Sequence, residues 1–367
     1  MLAAARREWA LPIGIATTFA FLAFAGGGVA GLSRPAWFAF VLAWLFAAIM
    51  VCAFAVVRHA EALARQLGEP YGTVVLTLSM SGMEMMMISA VMLTGHGSVF
   101  LARDTMLAIL MIVLNGLVGA CLLVGGLRYH EQTYNLYSAN SFLAVILPLA
   151  VLGLVLPGIT ASAPGSTLPM LQAIFLIVMS LVLFGVFLGI QTMRHRDYFL
   201  SPGDPPTQDA HVAAARDSSV GHHVGMVIAY AIPIVLLARE IARPIDYGIE
   251  VLGAPAAFGG LLVAVLILAP EAMAAVRAAL ANQLQRSINM ALGVALSSIC
   301  LTIPAVLAIG FFTGQRVVLG LPAADTMLLL LTLVVSMLTF SLARTNVLIG
   351  AVHLLLFAAY LMLLVGQ

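Results

Sequence analysis

The feature that most constrains this sequence is the repetition of one length. Apolar runs of about twenty residues, enough helix to cross the roughly 30 Å hydrocarbon core of a bilayer, follow one another almost without pause. Cut at that length, the 367-residue chain yields eleven spans, near 10–31, 36–57, 71–95, 104–127, 140–161, 168–192, 223–238, 251–277, 288–312, 324–342 and 346–366. Backbone amides inside a bilayer must find their partners within the protein, so such runs are helices rather than open strands. The expected fold is an all-α polytopic membrane protein of about eleven transmembrane helices. Composition agrees, with 63% of residues hydrophobic and 8% charged, against about a quarter charged in soluble domains.

One stretch breaks the pattern: "RHRDYFLSPGDPPTQDAHVAAARDSSVGHH", residues 194–223, is polar and Pro-containing, and reads as an inter-domain linker. Arg6 and Arg7 ahead of the first run would suit a signal peptide, but the run is long and every later segment is also a span, so a retained first helix is expected. With the N-terminus inside, Arg6, Arg7, Arg58, Arg65, Arg128, Arg194, Arg196, Arg216, Arg277, Arg286 and Arg344 face the cytoplasm, and Arg34, Arg103, Arg239, Arg243 and Arg316 face outward. Eleven against five satisfies the positive-inside bias, places the linker in the cytoplasm and puts the C-terminus outside.

Several function classes drop out. Lysine is absent and the formal net charge is +1, so no basic tract offers itself to nucleic acid. Cys52, Cys121 and Cys300 lie far apart inside apolar runs and read as small core residues, not as a disulfide framework or a zinc site. There is no phosphate-binding Gly-rich loop and no nucleophilic triad, which argues against transport driven by ATP hydrolysis and against an enzyme. No cofactor is expected.

Of the fifteen acidic residues, thirteen lie in loops or at span ends; Glu84 and Glu271 alone are embedded in apolar sequence. A carboxylate at membrane depth costs roughly 2.5–3.5 kcal/mol on insertion scales, which makes it a functional residue by default. Glu84 follows Gly82 in "SMSGMEMMMISA", and Glu271 follows Pro270 in "LILAPEAMAAVRA", so each acid comes just after a residue that weakens helix hydrogen bonding. Glu84 falls on the third span and Glu271 on the eighth. Five spans separate them, so the two helices run in opposite directions, the signature of an inverted-topology repeat with its substrate site near the midplane, built from interrupted helices. The expected organisation is an extra N-terminal helix in 1–35, a first five-helix repeat in 36–192, the cytoplasmic linker in 193–222 and a second five-helix repeat in 223–367.

A second polar set follows each acid. Asn115, in "MIVLNGLVGACLLVGG", comes 31 residues after Glu84, and Thr302, in "INMALGVALSSICLTIPAV", comes 31 after Glu271, with Ser297 and Ser298 nearby. Two carboxylates with amide, hydroxyl and freed backbone oxygens suit a hard cation such as calcium. Two nearby carboxylates cannot both stay ionised cheaply in a low-dielectric cavity, so either protons or a cation must neutralise them. Alternating occupancy of that kind is what an antiporter needs.

At these residues the chain resembles the ChaA-type calcium(sodium, potassium)/proton antiporters of the calcium/cation exchanger superfamily. The likeness rests on "LTLSMSGMEMMMISAVMLTG", "LARDTMLAILMIVLNGLVGACLLVGGLRYHEQ", "TMRHRDYF" and "LAPEAMAAVRAALANQLQRSINMALGVALSSICLTIPAV". It implies a one-plus-five-plus-five arrangement of eleven spans, residence in the bacterial inner membrane, and exchange of cytoplasmic calcium, sodium or potassium for external protons. It also implies that Glu84 and Glu271 are the two motif acids that take cation and proton in turn, with Asn115 on the helix after the first. The sequence departs from the wider superfamily in lacking the Gly-Asn-Ala lead-in to the first motif and the Gln of the second, for which Ser297, Ser298 and Thr302 are the candidate replacements.

Other readings stand beside this one. A passive cation channel would use the same acids, an intramembrane enzyme would use them as a catalytic pair, and a homo-oligomer is compatible with all three. The methionines around Glu84 invite a copper reading, but Met85, Met86 and Met87 are consecutive and cannot share a helix face, so packing is expected. His353 in the last span reads as a packing residue. His222 and His223 could sense pH from the linker or simply lie in a solvated loop. Arg277, six residues after Glu271, should reach the cytoplasmic surface from a helix extending to about Leu284, unless Glu271 lies shallow.

Overall fold

The computed structural model describes residues 8–23, 31–68, 71–93, 99–160, 168–194, 196–199, 219–342 and 344–366, with Thr73, Arg196 and Asp197 described by backbone alone. Most of the expected linker lies outside these residues.

Each of the eleven expected spans is met by a helix. They are α1 (Ala10–Ala23), α2 (Pro35–Leu67), α3 (Tyr71–Met92), α4 (Leu101–Tyr129), α5 (Leu136–Thr160), α6 (Met170–Arg194), α7 (Val220–Glu250), α8 (Ala257–Leu280), α9 (Leu284–Thr313), α10 (Ala323–Thr339) and α11 (Val347–Gly366). Among the described residues nine are long and apolar enough to cross a membrane, while α1 and α10 are apolar but shorter. The extended structure among those residues is one antiparallel pair, β1 (Gln132–Thr133) against β2 (Arg344–Thr345), with Gln132 opposite Thr345.

Two helices overrun their expected ends. The seventh span was expected over 223–238, but α7 runs 31 residues. Hydropathy marks where a helix leaves apolar surroundings, not where it stops. Beyond that point the charges pair along the helix, as Arg243 Nη1 does with Glu240 Oε2 at 3.1 Å, three residues apart. The same happens in α2, which continues to Leu67 with Arg65 Nη1 3.6 Å from Glu61 Oε2. Lengths then recur in order: 33, 22 and 29 residues for α2 to α4, and 31, 24 and 30 for α7 to α9.

The chain divides into two compact units, one of residues 1–98 with 208–270 and another of 99–207 with 271–367. Each unit draws on both halves of the sequence, so these units are a different division from the expected repeats. The boundary falls between Pro270 and Glu271, inside α8.

In the first unit α2 and α7 lie along one another, with α3 and α1 packed on both. Leu45, Ile49, Cys52, Ile234 and Leu237 are fully buried there. A methyl group at Gly14 of α1 would stand 2.7 Å from Cys52 Sγ and 3.3 Å from Pro233 Cβ, so only glycine allows this approach. Near one end of the pair, Glu8 Oε2 accepts from Arg58 Nη2 at 2.7 Å, Tyr230 Oη at 2.8 Å and His59 Nε2 at 3.1 Å. That carboxylate accepts from Nε2–H, which in a neutral His59 ring leaves Nδ1 to accept from His223 Nδ1, 2.9 Å away. His222 and His223 are therefore not in a solvated loop. They form the first turn of α7, capped by Ser219 Oγ, which accepts from the His222 amide at 3.2 Å.

Burial alone would push the Glu8 carboxyl up, but the hydrogen bonds from His59 and Tyr230 and the Arg58 charge outweigh it and hold the group below its ordinary 4.5. A carboxylate lowered in the folded state stabilises the fold above 4.5, and that contribution is lost as pH falls through the lowered value. Glu8→Gln is accordingly expected to lower Tm at neutral pH, with the gap to wild type closing as pH falls below 4.5 and through the lowered value. Scanning fluorimetry of the detergent-purified protein reads this, and a gap constant with pH would refute it.

The second unit is arranged around α9, which packs against α4, α5 and α6. Phe142, Met111, Ile109, Ile303 and Leu296 are among its buried core residues. Glycines bring α11 onto α4. A methyl group at Gly119 would lie 2.9 Å from His353 Cβ, and one at Gly350 would lie 2.5 Å from the Leu123 backbone nitrogen. Three helices also widen locally into π turns, α4 over Met111–Leu117, α5 over Val151–Val155 and α6 over Ile190–Arg194. Such turns recur at functional positions because they shift side chains out of α-helical register.

Candidate cation site

Glu84 is the fourteenth residue of the 22 in α3 and Glu271 the fifteenth of the 24 in α8, and each is 3% exposed. Around Glu84 the residues Met83, Met87, Ile88 and Val91 are also buried, marking the inward side of α3 at helical spacing. Met86 points the other way, 41% exposed. The methionine cluster thus divides between core and surface, as consecutive positions on a helix require.

Neither Gly82 nor Pro270 ends its helix, and the expected interruption is absent from both. α3 continues through Gly82, where an added methyl would meet nothing within 4 Å. α8 continues through Pro270, whose missing N–H deprives the Leu266 carbonyl, four residues back, of its usual donor. Arg277 is exposed in the last turn of α8, about 9 Å along the axis from Glu271. Its Nη2 donates to Met273 Sδ at 3.3 Å. The helix stops at Leu280, short of the expected Leu284.

The remaining candidates gather in the second unit. Asn115 is fully buried within the π turn of α4, and that turn packs on α9. On α9, Ser297, Ser298 and Thr302 are all buried, with Ser298 and Thr302 one turn apart on one face. Ser297 Oγ donates to the Val294 carbonyl at 3.2 Å. Ser287 Oγ donates to the Ala275 carbonyl at 2.9 Å, tying the start of α9 to the end of α8 below Glu271. Glu271 and the four polar candidates therefore belong to one compact body, while Glu84 belongs to the other.

Asn115 belongs to a hydrogen-bonded chain not expected from the sequence, with Thr332 and His353 as its direct partners and Thr339 beyond His353. Its Nδ2 donates to Thr332 Oγ1 at 2.8 Å, its Oδ1 stands 3.2 Å from His353 Nδ1, and His353 Nε2 stands 2.9 Å from Thr339 Oγ1. The signal was present in α10, where Thr332, Ser336 and Thr339 fall at i, i+4 and i+7 of an apolar helix and mark a polar face. His353, read as packing, is indeed buried, but its ring is also hydrogen-bonded.

The sequence pattern of the sodium/calcium exchanger protein family matches residues 37–193 and 222–366. The sodium-potassium/proton antiporter ChaA of Escherichia coli is 40% identical over 317 residues, 86% of each chain. A second relative, y4hA of Sinorhizobium fredii, is 41% identical over 84% of each chain. Among solved structures, native YfkE superposes with a TM-score of 0.70 over 95% of this chain and all of that one, at 16% identity. The H+/Ca2+ exchanger CAX gives 0.64, covering 94% of this chain and 88% of that one, at 13% identity. With two buried helix acids, an all-α membrane fold shared with these exchangers and a family match along nearly its whole length, the chain belongs to the sodium/calcium exchanger protein family.

Proposed function

We propose that this protein is a secondary-active cation/proton antiporter of the bacterial inner membrane, exporting calcium, sodium or potassium from the cytoplasm in exchange for protons. The observation that carries this reading is a pair of carboxylates, Glu84 and Glu271, each buried at the matching place in its apolar helix. ChaA of Escherichia coli, 40% identical, is named a sodium-potassium/proton antiporter, and a 23% identical relative from Aphanothece halophytica a Ca2+/H+ antiporter. Both names support the same reaction class.

The chemistry follows from desolvation. Taking a charge out of water costs several kcal/mol, so an ionised acid in either apolar helix is too unfavourable to rearrange when empty. A bound cation neutralises it, and so do protons. Only loaded forms change access, and exchange is obligatory. Asn115, Ser297, Ser298 and Thr302 contribute neutral oxygens, which suit hard cations. The recurring helix lengths support two inverted five-helix repeats, 36–192 and 223–367, behind an extra first helix, with the N-terminus cytoplasmic and the C-terminus external.

Purified protein in proteoliposomes carrying an acidic interior tests this directly. Adding calcium, sodium and potassium in turn to the outside should dissipate the gradient for at least one cation, read by a pH-sensitive dye. Cation flux without proton movement would make the protein a passive channel and overturn the proposal.

A further inference from the structure

The polar chain around Asn115 has a direction that the donor and acceptor chemistry settles. Met111 Sδ lies 3.5 Å from Asn115 Nδ2 and 3.7 Å from Thr332 Oγ1. A thioether can only accept, so the Thr332 hydroxyl gives its proton to Met111 and receives one from Asn115 Nδ2 at 2.8 Å. That places the Asn115 oxygen on the other side, against His353 Nδ1 at 3.2 Å. An amide oxygen has no proton to give, so Nδ1 carries the hydrogen, and the ring also hydrogen-bonds the Leu114 backbone beside Asn115. Neutral imidazole then accepts at Nε2, and Thr339 Oγ1 donates to it at 2.9 Å. The four donations run one way, from Thr339 to His353, Asn115, Thr332 and finally Met111.

This chain joins α4, α10 and α11, and His353, Asn115, Thr332 and Met111 are all fully buried. Reversing the amide would set Nδ2 against the Nδ1 hydrogen. Glycine at 119 and at 350 holds α11 close enough for the imidazole to reach the π turn.

We propose that His353 is a positioning residue for cation recognition, locking the Asn115 carboxamide so that its oxygen keeps one fixed orientation. An amide oxygen has two lone pairs, and the proposal gives His353 one of them and a cation or its bound water the other. The proposal rests on Asn115 serving as a supporting ligand in the antiport reading above. It assigns to the last helix a part in cation affinity.

The test is a set of single and double variants in the proteoliposome assay, with the half-saturating cation concentration and the maximal rate measured separately. Groups that orient a metal's ligands are typically worth 10–100-fold in affinity, so His353→Leu should raise half-saturation about tenfold or more, with the maximal rate held within about twofold. His353→Gln offers an N–H to Asn115 and an oxygen to Thr339, and should recover most of the loss. Combined with Asn115→Ala, His353→Leu should add little. Unchanged half-saturation in well-folded His353→Leu would overturn the proposal, as would a loss that Gln does not recover or effects that add in the double variant. Glu84→Gln, run in parallel, separates the two ideas, because full exchange by that variant would remove the antiport mechanism itself.

Discussion

Glu84→Gln and Glu271→Gln are each expected to abolish proton-coupled cation uptake while the protein still inserts and purifies as a monodisperse species. Glutamine keeps the shape and one oxygen of the side chain but can neither carry the charge that a cation needs nor release a proton. Supporting groups around a metal are worth about 10–100-fold on their own, so loss of the charged ligand should cut the initial rate at least about 100-fold, to that of empty vesicles. Removing a carboxylate from an apolar helix also relieves an insertion cost, so neither variant should be less stable than wild type. Intact exchange by either variant would sink the mechanism, and an unfolded variant would show that the acid holds the bundle together instead.

A large expected effect on stability lies elsewhere, at Gly350. A methyl group there would stand 2.5 Å from the Leu123 nitrogen and 2.9 Å from both Leu123 Cα and the Gly119 oxygen. All of these atoms are backbone and cannot rotate aside, so Gly350→Ala must push α11 off α4. Overpacking of this kind costs typically 1–3 kcal/mol, and the His353 contact to Asn115 is lost with it. Gly185→Ala in α6 is the contrast, since an added methyl there meets nothing within 4 Å. Exchanging glycine for alanine inside a helix should stabilise by roughly 0.5–1 kcal/mol. Thermal unfolding in detergent should therefore move in opposite directions for the two variants, and equal shifts would refute the packing argument.

Much of the fold is legible in the sequence because a bilayer imposes a length and forbids open backbone. Both rules act locally, so the helices could be located from apolar runs alone. What hydropathy misses is where helices continue once their residues become polar, as in α7 through Arg239, Glu240 and Arg243. The π turns are likewise silent, since "MIVLNGL" carries no residue that demands a wider turn. Glu84 and Glu271 stand out in the sequence because charge is costly among apolar neighbours. The partners of Asn115 do not, because Thr332 and His353 lie 217 and 238 residues away and only tertiary packing brings them together. The same holds for Glu8 and Tyr230, 222 residues apart.

Length itself has a mechanical consequence for α2 and α7. At 33 and 31 residues they measure about 50 and 46 Å, well beyond the roughly 30 Å of hydrocarbon. They must lean steeply or carry several turns into the headgroups and the water beyond. A rod of that size is a lever: a swing of about 10° around its middle displaces each tip by about 4 Å. The carboxylate and imidazole clasp formed by Glu8, His59 and His223 lies toward one tip of the pair. There, a modest force has its greatest purchase on the rest of the rod.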